Sequence, residues 1–458
     1  MKLYKSYFLL FIAAGFSLTV VAQNLKPIRG TINQKYSEIK TWSYDLPNGA
    51  RMVIRPDDSS SVIQIRAFSP GGALLFPQDD YASAVCAGDI IAAPFEKKDV
   101  ASLHMTAGVD SRYATLTASC TAPELEKALQ LIYSYFTDPK ADKAAFNTKV
   151  ARLKKEERLR LSLPENVLSD TLSAVCGQRR VTMAALQSAN ADRAFAIFKS
   201  LFGNAGNFTF VLTGKLSGTA FNESRKLNLI STYLGALPSK KDMSQELAKP
   251  NRSRSTFSTE GEQVLLKAIP QVPAGKIYRT VYAGNSPYAT VKLIYHGNYE
   301  FSDSTDLQLK VMTYLLGQQL GSRAELKNAT ALLSIDRYPR RNFFITITYQ
   351  CPPQELQSSI KDVQESIKNL QQHASPDVIK LYVTEQRQLL KKQFFNNGFW
   401  TDYLETKFKL GEDPYDIAHY PYYFRKATSL SIQQAVTDFL TTENCVQAVL
   451  LPTRMRRK

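Results

Sequence analysis

Histidine is scarce in this chain. Four stand in 458 residues (His104, His296, His373 and His419), and no two lie close enough to form a helical ligand pair. Zinc sites need three or four converging His, Cys or carboxylate ligands, and none cluster in sequence. Cysteine is sparse too. Cys86, Cys120, Cys176, Cys351 and Cys445 lie far apart with no C-x-x-C pair, so neither a disulfide-stapled framework nor a dithiol redox motif is present. Each sits among apolar neighbours and reads as a buried structural thiol. G-x-G-x-x-G, P-loop and G-x-S-x-G patterns are all missing, which removes phosphate cradles and the nucleophile elbow. Outside one N-terminal run no segment is apolar enough to span a bilayer. A composition of 44% hydrophobic and 11% aromatic residues excludes a disordered or collagen-like chain.

The N-terminal run is informative. Lys2 and Lys5 precede the apolar stretch Tyr7 to Ala22, which ends Val20-Val21-Ala22 before Gln23. A charged start, an apolar core and small residues at a cut site describe a secretory signal peptide. An uncleaved anchor is the alternative, but the run is short of the roughly 20 residues a span needs. Cleavage leaves about 436 residues, enough for two to four domains or subdomains. The formal charge of +16 becomes +14 without the two leader lysines. The cations are spread along the chain and lack interleaved aromatics, so they read as solvated surface rather than a nucleic-acid site. The tail Arg454 to Lys458 could meet an acidic partner or a membrane surface.

An internal repeat organises the rest. The strand Tyr113 to Cys120 is followed by Thr121-Ala122-Pro123-Glu124, a capping box with Pro in the first turn. Leu125, Leu129, Ile132 and Phe136 then mark one helix face. At an offset of 231 the pattern returns as strand Phe343 to Tyr349, Cys351, Glu355, Leu356, Ile360, Val363 and Ile367. Leu153-Lys154-Lys155 recurs as Leu390-Lys391-Lys392 at an offset of 237, and strand Asn207 to Leu212 as Asn444 to Leu450. Three matches in one order imply two copies of one α/β subdomain. Pro47-Asn48-Gly49 between Trp42 to Leu46 and Ala50 to Arg55 predicts a hairpin, hence antiparallel pairing. Long helices over Ala141 to Leu161 and Ser375 to Phe394 should cover one face. The expected fold is α+β: two homologous α/β subdomains, each an antiparallel sheet covered by helices. The expected boundaries are 1–22 leader, 23–238 first subdomain, 239–262 flexible linker and 263–458 second subdomain.

Several stretches carry a family resemblance. Leu46-Pro47-Asn48-Gly49-Ala50-Arg51, Ser69-Pro70-Gly71-Gly72 and Tyr233-Leu234-Gly235-Ala236-Leu237-Pro238 stand in the first copy, with Tyr295-His296-Gly297 and Leu410-Gly411-Glu412-Asp413-Pro414 in the second. In this order over 400 residues they resemble insulinase-type (pitrilysin-like, inverzincin) zinc peptidases, best the C-terminal half of the long bacterial periplasmic members. The resemblance implies two homologous halves closing around a peptide, with an H-x-x-E-H zinc motif only in the N-terminal half. Here that motif falls near Val85-Cys86-Ala87-Gly88-Asp89, where Val85 replaces the first His, Gly88 the general base and Asp89 the second His. Glu156 and Glu157, near the place of a distal Glu ligand, read as solvated helix charges. His104 and His419 read as ordinary, partly buried histidines. The non-catalytic half of such enzymes supplies an Arg and then a Tyr, after a Gly-containing turn, to polarise the substrate carbonyl. Arg323 matches the Arg as a substrate-binding candidate, but no Tyr follows before Tyr338 and the Gly-containing turn is missing.

The resulting expectation is a periplasmic, non-catalytic subunit. It would bind peptide and form a hetero-oligomer with a separate zinc-bearing H-x-x-E-H chain, itself holding no cofactor and no transmembrane segment after leader cleavage. The second reading is a catalytically dead homologue that binds peptides or proteins, or serves as a scaffold. A third, an active zinc enzyme with an unfamiliar ligand set, lacks clustered ligands. Cys176 beside Arg179 and Arg180 has no placed base to make it a nucleophile.

Overall fold

The computed structural model describes residues 31–36, 39–92, 102–216, 225–239, 265–269 and 271–457. The apolar leader and the linker from residue 240 onward lie outside the described residues.

Seven strands make the first sheet: β1 (Thr31–Tyr36), β2 (Thr41–Asp45), β3 (Arg51–Pro56), β4 (Val62–Pro70), β5 (His104–Val109), β6 (Tyr113–Thr121) and β7 (Thr209–Gly214). Their order is β1-β2-β3-β7-β4-β6-β5. Five make the second: β8 (Gly275–Tyr282), β9 (Ala289–Asn298), β10 (Lys327–Asp336), β11 (Asn342–Cys351) and β12 (Asn444–Leu451). Their order, taken from β8, is β8-β12-β9-β11-β10. This is the order β3-β7-β4-β6-β5, so the repeat read from sequence is a repeat of topology. It extends to register: Cys120 faces Ile63, and Cys351 faces Ala289. Both sheets are mixed. The pairs β3–β7 and β8–β12 are parallel and the rest antiparallel. Each closing strand returns from a helical crossover, which permits parallel pairing where a hairpin would not.

The capping box forms as the residues specify. Glu124 accepts from the Thr121 amide at 3.1 Å and from Thr121 Oγ1 at 2.7 Å, and also from Ser102 Oγ. The Ser102 bond and then the Thr121 bonds pull its carboxyl down to about 2. The helix Leu125–Thr137 then buries Leu125, Leu129, Ile132 and Phe136. Phe136 lies 5.0 Å from Phe208, and Phe198 stacks on Phe202 at 4.2 Å. Such pairs contribute about 1 kcal/mol each beyond their buried area. In the second copy the helix Leu356–Gln372 buries Ile360, Val363 and Leu370.

Two compact units result, and both are discontinuous in sequence. One comprises Met1–Val150, Ser188–Phe257 and Asn397–Glu412; the other comprises Ala151–Gln187, Ser258–Asn396 and Asp413–Lys458. In the first unit the helix Asn397–Leu410 packs on β4 and β7, and Thr401 shares a buried 2.5 Å hydrogen bond with Thr213 of β7. In the second, Leu168 and Leu172 of the helix Pro164–Val175 pack against Ile294, Val446, Ala448 and Leu450. Among the described residues no helix is long and apolar enough to cross a membrane.

Candidate functional site

The stretches that carry the family resemblance do structural work in the first unit. Gly49 takes a φ of 87°, open to glycine at little cost, and closes the β2–β3 turn. Asn48 Nδ2 donates to the carbonyls of Leu234 and Leu237 at 2.8 and 3.1 Å. It thereby ties the hairpin to the end of the helix Arg225–Gly235, whose final carbonyls have no partner within the helix. At Gly72 a Cβ would stand 2.2 Å from the Asp110 carbonyl. Only glycine lets the chain leave β4 across the β5–β6 turn.

The segment aligned with the zinc motif follows. The α-helix here is only Tyr81–Val85, and a separate 3-10 turn spans Gly88–Ile90. Positions 85 and 89 therefore do not share one continuous helix face, which paired ligands at i and i+4 require. Val85 has no donor atom for a metal. Gly88 is fully packed: a Cβ there would meet the Ala107 carbonyl oxygen at 2.5 Å and Gly108 Cα at 2.6 Å, both backbone of β5. A glutamate base has no room at this position. Asp89 forms a 2.9 Å ion pair with Lys149. Nothing in this stretch is a zinc ligand set, and no group of three or more His, Cys, Asp or Glu among the described residues could hold a metal ion.

Arg323 lies in the turn after the helix Asp303–Gly321, a little over a quarter exposed, with Nη1 3.7 Å from Asp362. Only the rest of that turn separates Arg323 from the start of β10 at Lys327. Tyr338 comes only after the whole of β10, roughly 30 Å along an extended strand, and is buried there. It does not join Arg323. His104, His373 and His419 are exposed, so the partly buried reading of His104 and His419 is corrected. His104 sits on the edge strand β5, and His419 packs its ring edge-on to Tyr415 at 5.1 Å. His296 is buried, Nε2 without a hydrogen-bond partner among the described residues, and burial lowers its pKa.

Glu156 is solvated as expected, beside Arg152. Glu157 is not. It is buried and accepts from Arg160 Nε at 2.7 Å and from Arg180 Nη2 at 3.3 Å, while Arg160 and Arg180 both also bond Asp170. The Arg160 hydrogen bond holds its carboxyl below the usual range, against the opposing effect of burial. The only sequence signal for this cluster was the i, i+3 spacing of Glu157 and Arg160; Asp170 and Arg180 come from later segments. Since Arg180 is committed to the carboxylates, it does not activate Cys176, whose thiol is pushed up by burial. Burial likewise raises Cys120 to about 12 and Cys445 to about 11; Cys86, Cys120 and Cys351 are buried as expected, whereas Cys176 and Cys445 are only partly so.

No protein-family model and no curated protein matches the chain in sequence. Solved structures do match in fold. The periplasmic protease PqqL from Escherichia coli superposes with a TM-score of 0.76 at 18% identity, over 98% of this chain and 49% of that one. The first half of PqqL alone gives 0.62 at 12%, over 93% of each chain. A peptidase M16 inactive domain from Pseudomonas fluorescens gives 0.63 at 14%, over 90% of this chain and 98% of that one. The chain spans about half the length of PqqL. At such identities the likeness is one of fold: this chain has the fold of one half of an insulinase-like, M16-type peptidase.

Proposed function

We propose that this chain is a non-catalytic peptidase homologue of the periplasm, which completes a peptide-binding chamber with a separate zinc-bearing H-x-x-E-H chain. The observation that carries the reading is Gly88. The resemblance assigns the general base to this position, and backbone of β5 leaves no room there for a side chain; Val85 and Asp89 stand where the resemblance assigns the metal ligands. One further fact supports it. The chain fits the full PqqL chain better than its first half alone, 0.76 against 0.62. Arg323 is the peptide contact we assign, from its place in the turn before β10. Zinc belongs to the partner in this account. The sequence halves 23–238 and 263–458 remain our division of the repeat. Copurification under gentle conditions tests the pairing. An H-x-x-E-H protein should come down with the tagged chain, and its consistent absence would count against a split peptidase.

The second reading, a peptide-binding or scaffold protein with no catalytic partner, is favoured by one feature. The turn Ser322–Leu326 runs straight into β10 and brings no tyrosine to Arg323. Peptide binding that persists without any zinc chain, and leaves that chain's activity unchanged, would select it.

A further inference from the structure

The two copies of the repeat differ at one sheet edge. In the first copy β3 is flanked by β2, with Tyr44 opposite Met52 and Trp42 opposite Ile54. Met52 and Ile54 are fully buried. Topology and register place β8 where β3 stands: Met52 faces Phe210 of β7, and Tyr278 faces Gln447 of β12. Among the described residues β8 pairs with β12 alone. Tyr278 is 61% exposed and Tyr282 38%, and Lys276 and Thr280 are exposed as well.

The backbone of that edge is set up to receive a strand. Ala283 donates its amide to the Leu451 carbonyl, and Gly275 donates to the side-chain Oδ1 of Asn444, so odd-numbered residues turn their polar groups toward β12. Alternation then turns the N–H and C=O of Lys276, Tyr278, Thr280 and Tyr282 outward. Arg279 caps the outward Tyr278 carbonyl with its own side chain at 2.8 Å, a bond an incoming amide can replace. Charge selects the occupant. Neither β8, β12 nor the turn Thr453–Arg457 that packs beside β8 contains an acid, while Lys276, Arg279, Arg454 and Arg456 are all cationic. A second copy laid antiparallel on β8 would add a second set of cations to an edge that has no acid, and like charges gathered across strands are destabilising.

We infer that the β8 edge binds an extended acidic peptide segment, added antiparallel as a sixth strand in the place β2 takes in the first copy. By that analogy an aromatic side chain falls opposite Tyr278 and another opposite Thr280, and a carboxylate falls opposite Arg279, where β2 has Ser43. Backbone hydrogen bonds supply affinity and the alternate side chains specificity. The inference stands independently of any zinc partner.

The test uses the mature chain and a fluorescein-labelled peptide alternating glutamate with tryptophan and tyrosine. A lysine counterpart and a proline-interrupted version serve as controls. The acidic peptide should bind in a fluorescence anisotropy titration. It should slow hydrogen exchange at the Lys276, Tyr278, Thr280 and Tyr282 amides. Thr280→Pro removes one outward N–H without touching the β12 ladder and should weaken binding about tenfold or more. The reversal Arg279→Glu, at the position that faces the carboxylate, should shift the preference toward the lysine peptide, so the inference stays testable should Thr280→Pro misfold. Binding that is equal for both charges, or unaffected by either variant, overturns it. So do edge amides already protected in the free chain, and so does concentration-dependent dimerisation abolished by Thr280→Pro.

Discussion

At the scale of single residues, glycine and a buried carboxylate carry the argument. Gly88→Ala forces a methyl into the β5 backbone and should cost roughly 2–3 kcal/mol, as overpacking against immobile atoms does. A urea titration reads this directly; an unchanged midpoint would mean that the position is not packed. Glu157→Gln addresses the buried cluster. The folded-state pKa of Glu157 is depressed, chiefly by the Arg160 hydrogen bond. Its contribution is therefore complete above the unfolded value of about 4.3 and is lost as pH falls through the lower folded value. The variant should be less stable by roughly 1 kcal/mol at pH 7, since Glu157 is the one buried member of a set whose other partners are partly exposed. The gap to the native chain should close in acid, below about pH 4. A gap that does not change with pH in urea midpoints would refute the assignment. Composition could place neither feature. Gly88 is one glycine among 21, and Glu157 sits in a run of charges that reads as solvent-facing until Asp170 and Arg180 arrive from elsewhere in the chain.

At the scale of elements, local chemistry was more legible. The capping box, the Asn-Gly hairpin and the 231-residue offset all follow from short-range pattern, and all appear in the structure with the strands and helices they specify. The Asn48 tie goes one step further: Asn48→Ala removes the bonds to the carbonyls of Leu234 in the helix and Leu237 just past it, and the one from the Ala50 amide, and should lower stability by about 1–2 kcal/mol. Its companion effect should be faster amide exchange in Leu234–Leu237 than elsewhere in the unit. Which sheet the helices Pro164–Val175 and Asn397–Leu410 would cover was not legible. Each has an apolar face, but periodicity names no partner surface. The parallel pairs were also missed, because adjacency in sequence suggested hairpins and only the return of β7 and β12 after long crossovers creates them.

At the scale of the whole molecule, the repeat and the family resemblance together gave the architecture, and fold comparison agrees with them. What the chain does was less legible, because function resides in a site, and positions 85, 88 and 89, where the resemblance puts the zinc motif, carry Val, Gly and Asp. Arg323 is the remaining candidate. Arg323→Ala should leave the urea midpoint nearly unchanged, because its pairing with Asp362 is loose and partly exposed, yet weaken peptide capture in the assembled pair. Loss of stability without loss of capture would make it a structural residue instead.

Zinc content and peptidase activity of the chain from Gln23 onward, measured alone and together with a coexpressed H-x-x-E-H chain, separate a subunit that assists catalysis from one that performs it. An assisting subunit shows no stoichiometric zinc and no cleavage alone, and a clear gain in the partner's activity when the two are combined. Tight zinc with cleavage by the isolated chain, or a partner indifferent to its presence, rules that role out.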